Sequence, residues 1–325
     1  MKTKTLLLIT FFGLLTSLEL KAQQCGTPQT TNFPSTQRTI VKQNFLNNNE
    51  SICFNVFYHI VRQNNGSGGI NASLLDNITE KLNLAFNPHS LYVKNLGFDY
   101  INNTTYYNID DSGGNNSEFN ALVQINNKPN AINIYIVNNA VSYAGRANGI
   151  LSQALVIESS WANTQVMSHE VGHCLDLWHT FQGTATNTSG CAEAIDGSNC
   201  TTCGDYVCDT PADANTGNSD GYSPNMDNIM SYYYPFDEFS KGQTDRVRNA
   251  FATSSMLQQI VSNSCVTICN EKPQITIELE PIGTNYVAVH MVGSKGTDIN
   301  SQCITSTTWQ KISSSGGCYA SFGGS

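Results

Sequence analysis

The sequence predicts an α/β domain: a twisted, mixed sheet and one functional helix above a cleft, with a loop-rich, disulfide-containing part below and a small β segment at the end. Three observations predict it. Short apolar runs at 52–61 and 132–137 read as strands buried on both faces. Helical periodicity runs through 71–86 and 164–175. After His179 the composition changes to Gly, Asn, Asp, Ser and Thr as far as Asn228, and four cysteines crowd that stretch.

Taken in order, residues 1–22 have the form of a signal peptide, with Lys2 and Lys4 at the start, an apolar stretch from Leu6 to Leu15 and Ala22 at the cleavage position. That stretch is too short for a stable membrane span. Cys25 lacks the small preceding residue a lipid anchor needs, so the expected destination is extracellular. Residues 23–50 are polar and weakly periodic, as in a propeptide-like arm. The folded domain is expected over 51–265. Ile52 to Val61 is its first strand, and His59 within it is read as a structural residue. A glycine-rich turn at 65–69 precedes a helix from Asn71 to Phe86, with Leu74, Leu75, Ile78, Leu82 and Phe86 on one side. Ile132–Val137 and Ala154–Ile157 are strands. Asp245 to Val261 is a closing helix. Residues 266–325 are expected to form a small β module or a fragment of one, in which 274–280 and 286–292 alternate like a hairpin and Cys303 and Cys318 are candidates for pairing.

The helix at 164–175, capped by Asn163 or Thr164, carries His169-Glu170-Val171-Gly172-His173, and His179 follows six residues later. Three of the chain's six histidines are in this short segment. On a helix His169 and His173 stand one turn apart on one face, spaced to grip one ion. Glu170 can then reach an ion-bound water without itself binding the metal. His179 joins them only if the chain turns sharply after Leu175. Three protein ligands leave zinc one open position, the mark of a catalytic site. Zinc acidifies a water and polarises a carbonyl, and Glu170 is the base that takes the proton and later returns it to the leaving amine.

These residues, with His179-Thr-Phe181, Gly190-Cys191, the run from Cys203 to Pro211, Asn228-Ile-Met-Ser-Tyr232 and Phe239-Ser-Lys-Gly-Gln243, resemble the metzincin metallopeptidases, and more narrowly the pappalysin family (M43, cytophagalysin and ulilysin type). The resemblance covers roughly 51–264. It implies a zinc metalloendopeptidase acting on protein or peptide substrates, in which an edge strand holds the extended substrate. It makes Met230 the apolar support beneath the ligands and Tyr232 the partner of the developing oxyanion. It makes Asp205, Asp209 and Thr210 candidate calcium ligands, against the alternative of solvated or capping carboxylates. Asp237 and Glu238 become candidates for a pocket that prefers a basic residue. Cys25, in Cys25-Gly26-Thr27-Pro28, becomes a candidate zymogen switch that occupies the zinc until the arm is removed; a disulfide to a later cysteine is the alternative. One position departs from the family: Asp176 stands where a glycine usually breaks the helix. Asp is among the few residues that tolerate the left-handed conformation, so the turn is still expected there.

Eleven cysteines fit an oxidising destination. Cys200 and Cys203 form a C-x-x-C, compatible with a second zinc or a redox centre, but in an exported chain a disulfide staple is expected. Cys174 is expected as a buried thiol. The net charge is −9 with 16 scattered basic residues, so no basic patch suggests nucleic acid. Two rival readings remain at this stage: a catalytically silent zinc-binding adhesion protein acting through the C-terminal segment, and a metal-free, disulfide-rich surface protein. Nothing in the sequence speaks to oligomeric state.

Overall fold

The computed structural model describes residues 25–28, 51–112, 116–186 and 188–262, and the backbone of strands at 274–281 and 287–295. The signal peptide at 1–22, the rest of the arm apart from 25–28, and the proposed Cys303–Cys318 pair lie outside the described residues.

Strand β1 (Ile52–Arg62) is buried almost throughout and lies inside a five-stranded sheet. Its parallel neighbours are β2 (Leu91–Asn102) and, beyond a short strand β3 (Asn108–Ile109), β4 (Ile132–Val137). After the two-residue β5 (Asn139–Ala140), which pairs with β3, come β6 (Gly145–Ala147) and β7 (Ala154–Glu158). The sheet order is β2-β1-β4-β7-β6, parallel except for β6, which runs antiparallel to β7 at the edge. All six residues of β4 are buried. Both sheet faces are covered, which is why the strand reads as a continuous apolar run.

Helix α1 (Leu75–Phe86) packs on one face, joined to β1 by a 3-10 turn at Ala72–Leu74 that Asn71 caps. Helix α4 (Gln165–Cys174) shares that face, so Phe54, Val56, Ile134, Ile136, Leu155 and Ile157 meet Leu82, Val166 and Val171 in one core. The opposite face, with Tyr135, Val137 and Val156, is covered by Ile109 of β3 and by Phe119 and Leu122 of helix α3 (Ser117–Leu122), which follows the single-turn α2 (Thr104–Tyr107). Burying each such large side chain contributes about 1.5–3 kcal/mol.

Among the described residues between α4 and residue 240 there is neither helix nor strand beyond an isolated bridge, Asn228 to Glu238. Two disulfides staple this segment, Cys191–Cys203 and Cys200–Cys208. The two cysteines of the C-x-x-C therefore pair outward rather than with each other. The expected closing helix is two helices. Helix α5 (Lys241–Thr253) starts four residues earlier than its periodicity suggested, because Ser240 and Gln243 form a capping box. It ends at Ser254, whose extended backbone starts α6 (Ser255–Ile260). Phe251 of α5 packs on Phe54 at 5.9 Å, returning the chain to the first core. Strands β8 (Gln274–Pro281) and β9 (Val287–Lys295) pair antiparallel, as the alternation implied. No helix among the described residues is long and apolar enough to cross a membrane.

Candidate metal centre

Helix α4 starts where Thr164 turns its side chain back onto the Val166 N–H, a cap worth about 1 kcal/mol. One turn separates His169 from His173, and both are fully buried. Each imidazole is aimed by its other nitrogen. His169 Nδ1 donates to Ile229 O at 2.7 Å, and His173 Nδ1 donates to Leu177 O at 2.8 Å. That leaves both Nε2 lone pairs directed at one point, the usual arrangement of a ligating histidine.

The helix ends in a Schellman motif: Asp176 N–H donates to His173 O and Leu177 N–H to Gly172 O. Asp176 is left-handed, with φ +78°, as expected at the family's glycine position. For an L residue this conformation costs about 1–2 kcal/mol. The carboxylate of Asp176 pairs with Arg246 of α5 rather than with a histidine. The turn brings His179 back, so that the Nε2 atoms of His169, His173 and His179 lie 3.0–3.2 Å apart. Three nitrogens at bonding distance from one tetrahedral zinc would be separated by about 3.3 Å, so the donor set fits that ion. Burial, and then the neighbouring imidazoles, keep His173 and His179 well below the usual histidine range, and burial pushes His169 down to about 4. All three are neutral, as ligands must be.

The strand-like segment 25–28 lies across this cluster. Cys25 bridges Gly145 of β6 in parallel sense, and Gly26 N–H donates to Gly145 O. Cys25 Sγ stands 3.4 Å from His173 Nε2, and the four candidate ligand atoms lie within 4.8 Å of one another. A side chain at Gly26 would put its Cβ 2.8 Å from the Tyr143 ring, so only glycine lets the segment lie this close. Thr27 Oγ1 donates to Glu170 Oε2 at 2.9 Å, and the Ala147 N–H reaches both oxygens. Burial pushes Glu170 up to about 7, partly offset by these hydrogen bonds. Its Oε1 is buried with no hydrogen-bond partner, a free acceptor beside the cluster.

Met230 is fully buried under α4, and at Gly172 an added Cβ would sit 2.6 Å from its sulfur. Tyr232 packs edge-on against His179 at 5.0 Å and Phe181 at 4.6 Å, and its hydroxyl reaches Cys25 O at 3.4 Å. Burial, with Cys25 and Glu170 nearby, raises the phenol above its ordinary range, so it is a donor.

Other expected residues are placed elsewhere. Asp205 is buried and accepts from Thr210 Oγ1, whereas Asp209 is spent on the start of α5, accepting from Ser240 Oγ and Gly242 N–H. Asp237 and Glu238 are exposed and stand outside the four-residue cluster, with Glu238 bonded to Asn225. Cys174 is a buried free thiol. His59 is wholly buried between Asp99 and Asn133, a structural role. Sequence reasoning missed Thr27, Asp213, Glu193 and Arg246. Asp213 accepts from Thr180 Oγ1 and Tyr233 Oη, both at 2.7 Å, and so ties the residue after His179 to the residue after Tyr232. Glu193 is buried against Gly204 with Oε2 unpartnered, and burial pushes its carboxyl up to about 7. Only Thr27 had a signal, its place in Cys-Gly-Thr-Pro.

A three-histidine cluster at the end of a helix, under the short antiparallel edge of an otherwise parallel sheet, defines a zinc metalloprotease of metzincin type. Residues 153–252 match the M43 peptidase family model, described as pregnancy-associated plasma protein-A. An extracellular metalloprotease of Sordaria macrospora is 28% identical over 239 residues, 62% of this chain and 75% of that protein. One from Neurospora crassa is 26% identical over 269 residues, 70% and 87% of the two chains. The solved structure of Tannerella forsythia mature mirolysin in complex with a cleaved peptide shares the fold, with a TM-score of 0.51 at 17% identity, covering 65% of this chain and 96% of that one. Over residues 153–252 the chain is similar to the pappalysin (M43) family of metalloproteases.

Proposed function

We propose that this chain is a secreted zinc metalloendopeptidase made in a latent form, with His169, His173 and His179 as zinc ligands, Glu170 as general base and acid, Tyr232 as oxyanion partner and Met230 as support. The observation that carries the proposal is the convergence of three neutral, buried imidazoles beside a carboxylate with an unpartnered oxygen. Zinc, when bound, supplies a Lewis acid and lowers the pKa of water. Glu170 accepts the proton of the attacking water and hands it to the leaving amine. Tyr232 donates its hydroxyl to the carbonyl oxygen as charge develops there. The peptide substrate pairs with β6, where residues 25–28 now lie. Export is supported by the N-terminal sequence and by the extracellular relatives.

Latency follows from the same geometry. Cys25 takes the direction a water would use, and Thr27 holds the base. The decisive comparison is cleavage of a denatured protein by activated wild type and by Glu170→Ala; equal rates reject the mechanism. Failure of activated, zinc-loaded wild type to cut anything in a broad peptide library leaves the catalytically silent reading. Cys25→Ala is expected to cleave without prior removal of the arm, and full latency in that variant rejects the switch.

A second cation site is part of the proposal. Asp205 and Thr210, joined by Glu193 in place of Asp209, offer hard oxygen donors suited to calcium. The supporting observation is Glu193 Oε2, buried without a partner and close enough to Asp205 to raise its carboxyl further.

A further inference from the structure

We propose that Arg246 is a positioning residue for the metal centre: it clamps the left-handed turn at Asp176 from which His179 returns to the other two histidines. The proposal rests on the reading of His179 as third ligand. Asp176 occupies the position of a Schellman motif where glycine costs least, and its φ of +78° is unfavourable for any residue with a Cβ. Arg246 engages this one residue twice. Its Nε donates to Asp176 O at 2.6 Å, and its terminal nitrogen pairs with Asp176 Oδ2 at 2.9 Å. A planar fork bonded to both the carbonyl and the carboxylate fixes the peptide plane as well as the side chain, which a point charge cannot do. The side chains are only 10% and 24% exposed, so the pair is better shielded than a surface ion pair.

The same turn controls two ligands. The carbonyl after Asp176, Leu177 O, is the acceptor that orients His173. Two residues further on is His179, whose ring stacks on Phe181 at 4.7 Å. Rotation of the Asp176 peptide would therefore misdirect one imidazole and displace the other. The clamp also has a rigid base. Val247 and Phe251 anchor α5 in the core, and Gln243 pairs its amide with Asn228 just before the Met230 turn. A site held within a fraction of an ångström needs such support.

The test is zinc affinity of the full chain, by competition with a chromophoric chelator, alongside thermal melting of the metal-free protein. Arg246→Met is expected to weaken zinc binding about tenfold, and no more than about threefold in a chain that also carries Asp176→Gly, because glycine keeps the left-handed turn unaided. Equal losses in the two backgrounds, or a fall in metal-free melting temperature with affinity unchanged, overturn the clamp. Should Arg246→Met fail to fold, Arg246→Lys keeps the charge without the fork. It is expected to weaken zinc about threefold, and wild-type affinity in it overturns the clamp. His179→Ala separates the two ideas. Unchanged affinity there overturns the ligand reading and the clamp with it, whereas a large loss there with equal losses in the two Arg246 backgrounds overturns the clamp alone.

Discussion

Above the histidines, Phe54, Tyr58, Ile134 and Leu155 are fully buried in the central strands of a sheet. Below them, the chain from Leu175 to Phe239 has almost no regular structure and is held by individual polar pegs: Asp213 on Thr180 and Tyr233, Asn228 on Gln243, Arg246 on Asp176. The upper part supplies the helix with two ligand candidates and the base. The lower part supplies His179, Met230 and Tyr232. The difference teaches that stability and site geometry are divided between the two halves. A nonspecific apolar core tolerates small changes and sets whether the domain folds, while a few directional contacts set where His179 sits.

The largest effect expected is in the core. Phe54→Ala should cost about 3–5 kcal/mol in denaturant unfolding, yet leave the zinc affinity of the folded protein close to wild type. Asp213→Ala should cost less, about 3 kcal/mol for the buried donors it strands, but release zinc far more readily. If both variants weaken zinc equally, the division between the halves is wrong. Next, calcium at a hundredfold excess over its dissociation constant should stabilise the chain by about 2.7 kcal/mol. That gain should vanish in Asp205→Asn and Glu193→Gln, and no rise in melting temperature with calcium removes the second cation site. Thr164→Ala, which deletes the cap of α4, should cost about 1 kcal/mol in the same unfolding experiment.

The smallest effect sharpens the upper half. Burial, and then Arg248, lower the His89 pKa from 6.5. As pH falls below 6.5 the unfolded chain takes up a proton that the folded chain refuses. Stability is therefore full above that pH and declines below it until the lowered folded value is reached. His89→Gln should flatten this limb of the melting-temperature profile, and an unchanged slope would show that other groups control it.

The two halves also differed in how much could be read from sequence. Strands β1, β4 and β7 and helices α1 and α4 were legible because their residues meet a core, which imposes a period. Strand β2 was not, although it is 12 residues long, because Leu96, Phe98 and Tyr100 face solvent at the sheet edge and Gly97 interrupts the pattern. His169, Glu170 and His173 were legible because a helix converts spacing into geometry, and His179 because its place six residues on completes the motif. The pegs were not. Asp213, 34 residues beyond His179 in a stretch of Asn, Asp and Gly, looks like any solvated loop carboxylate until Thr180 and Tyr233 are seen to close on it. The same ambiguity applies to Asp209, a candidate cation ligand or capping carboxylate in sequence, which accepts from the Gly242 N–H and Ser240 Oγ at the start of α5.

The parts of the metal centre are spread along the whole described domain, from Cys25 before the first strand to Arg246 in the fifth helix. Contacts of such long sequence separation form late, after the chain entropy of closing large loops has been overcome. On the proposed roles, metal capture reports completed folding: a chain that ends before α5 holds all three histidines but lacks Arg246, which pairs with the turn before the last of them.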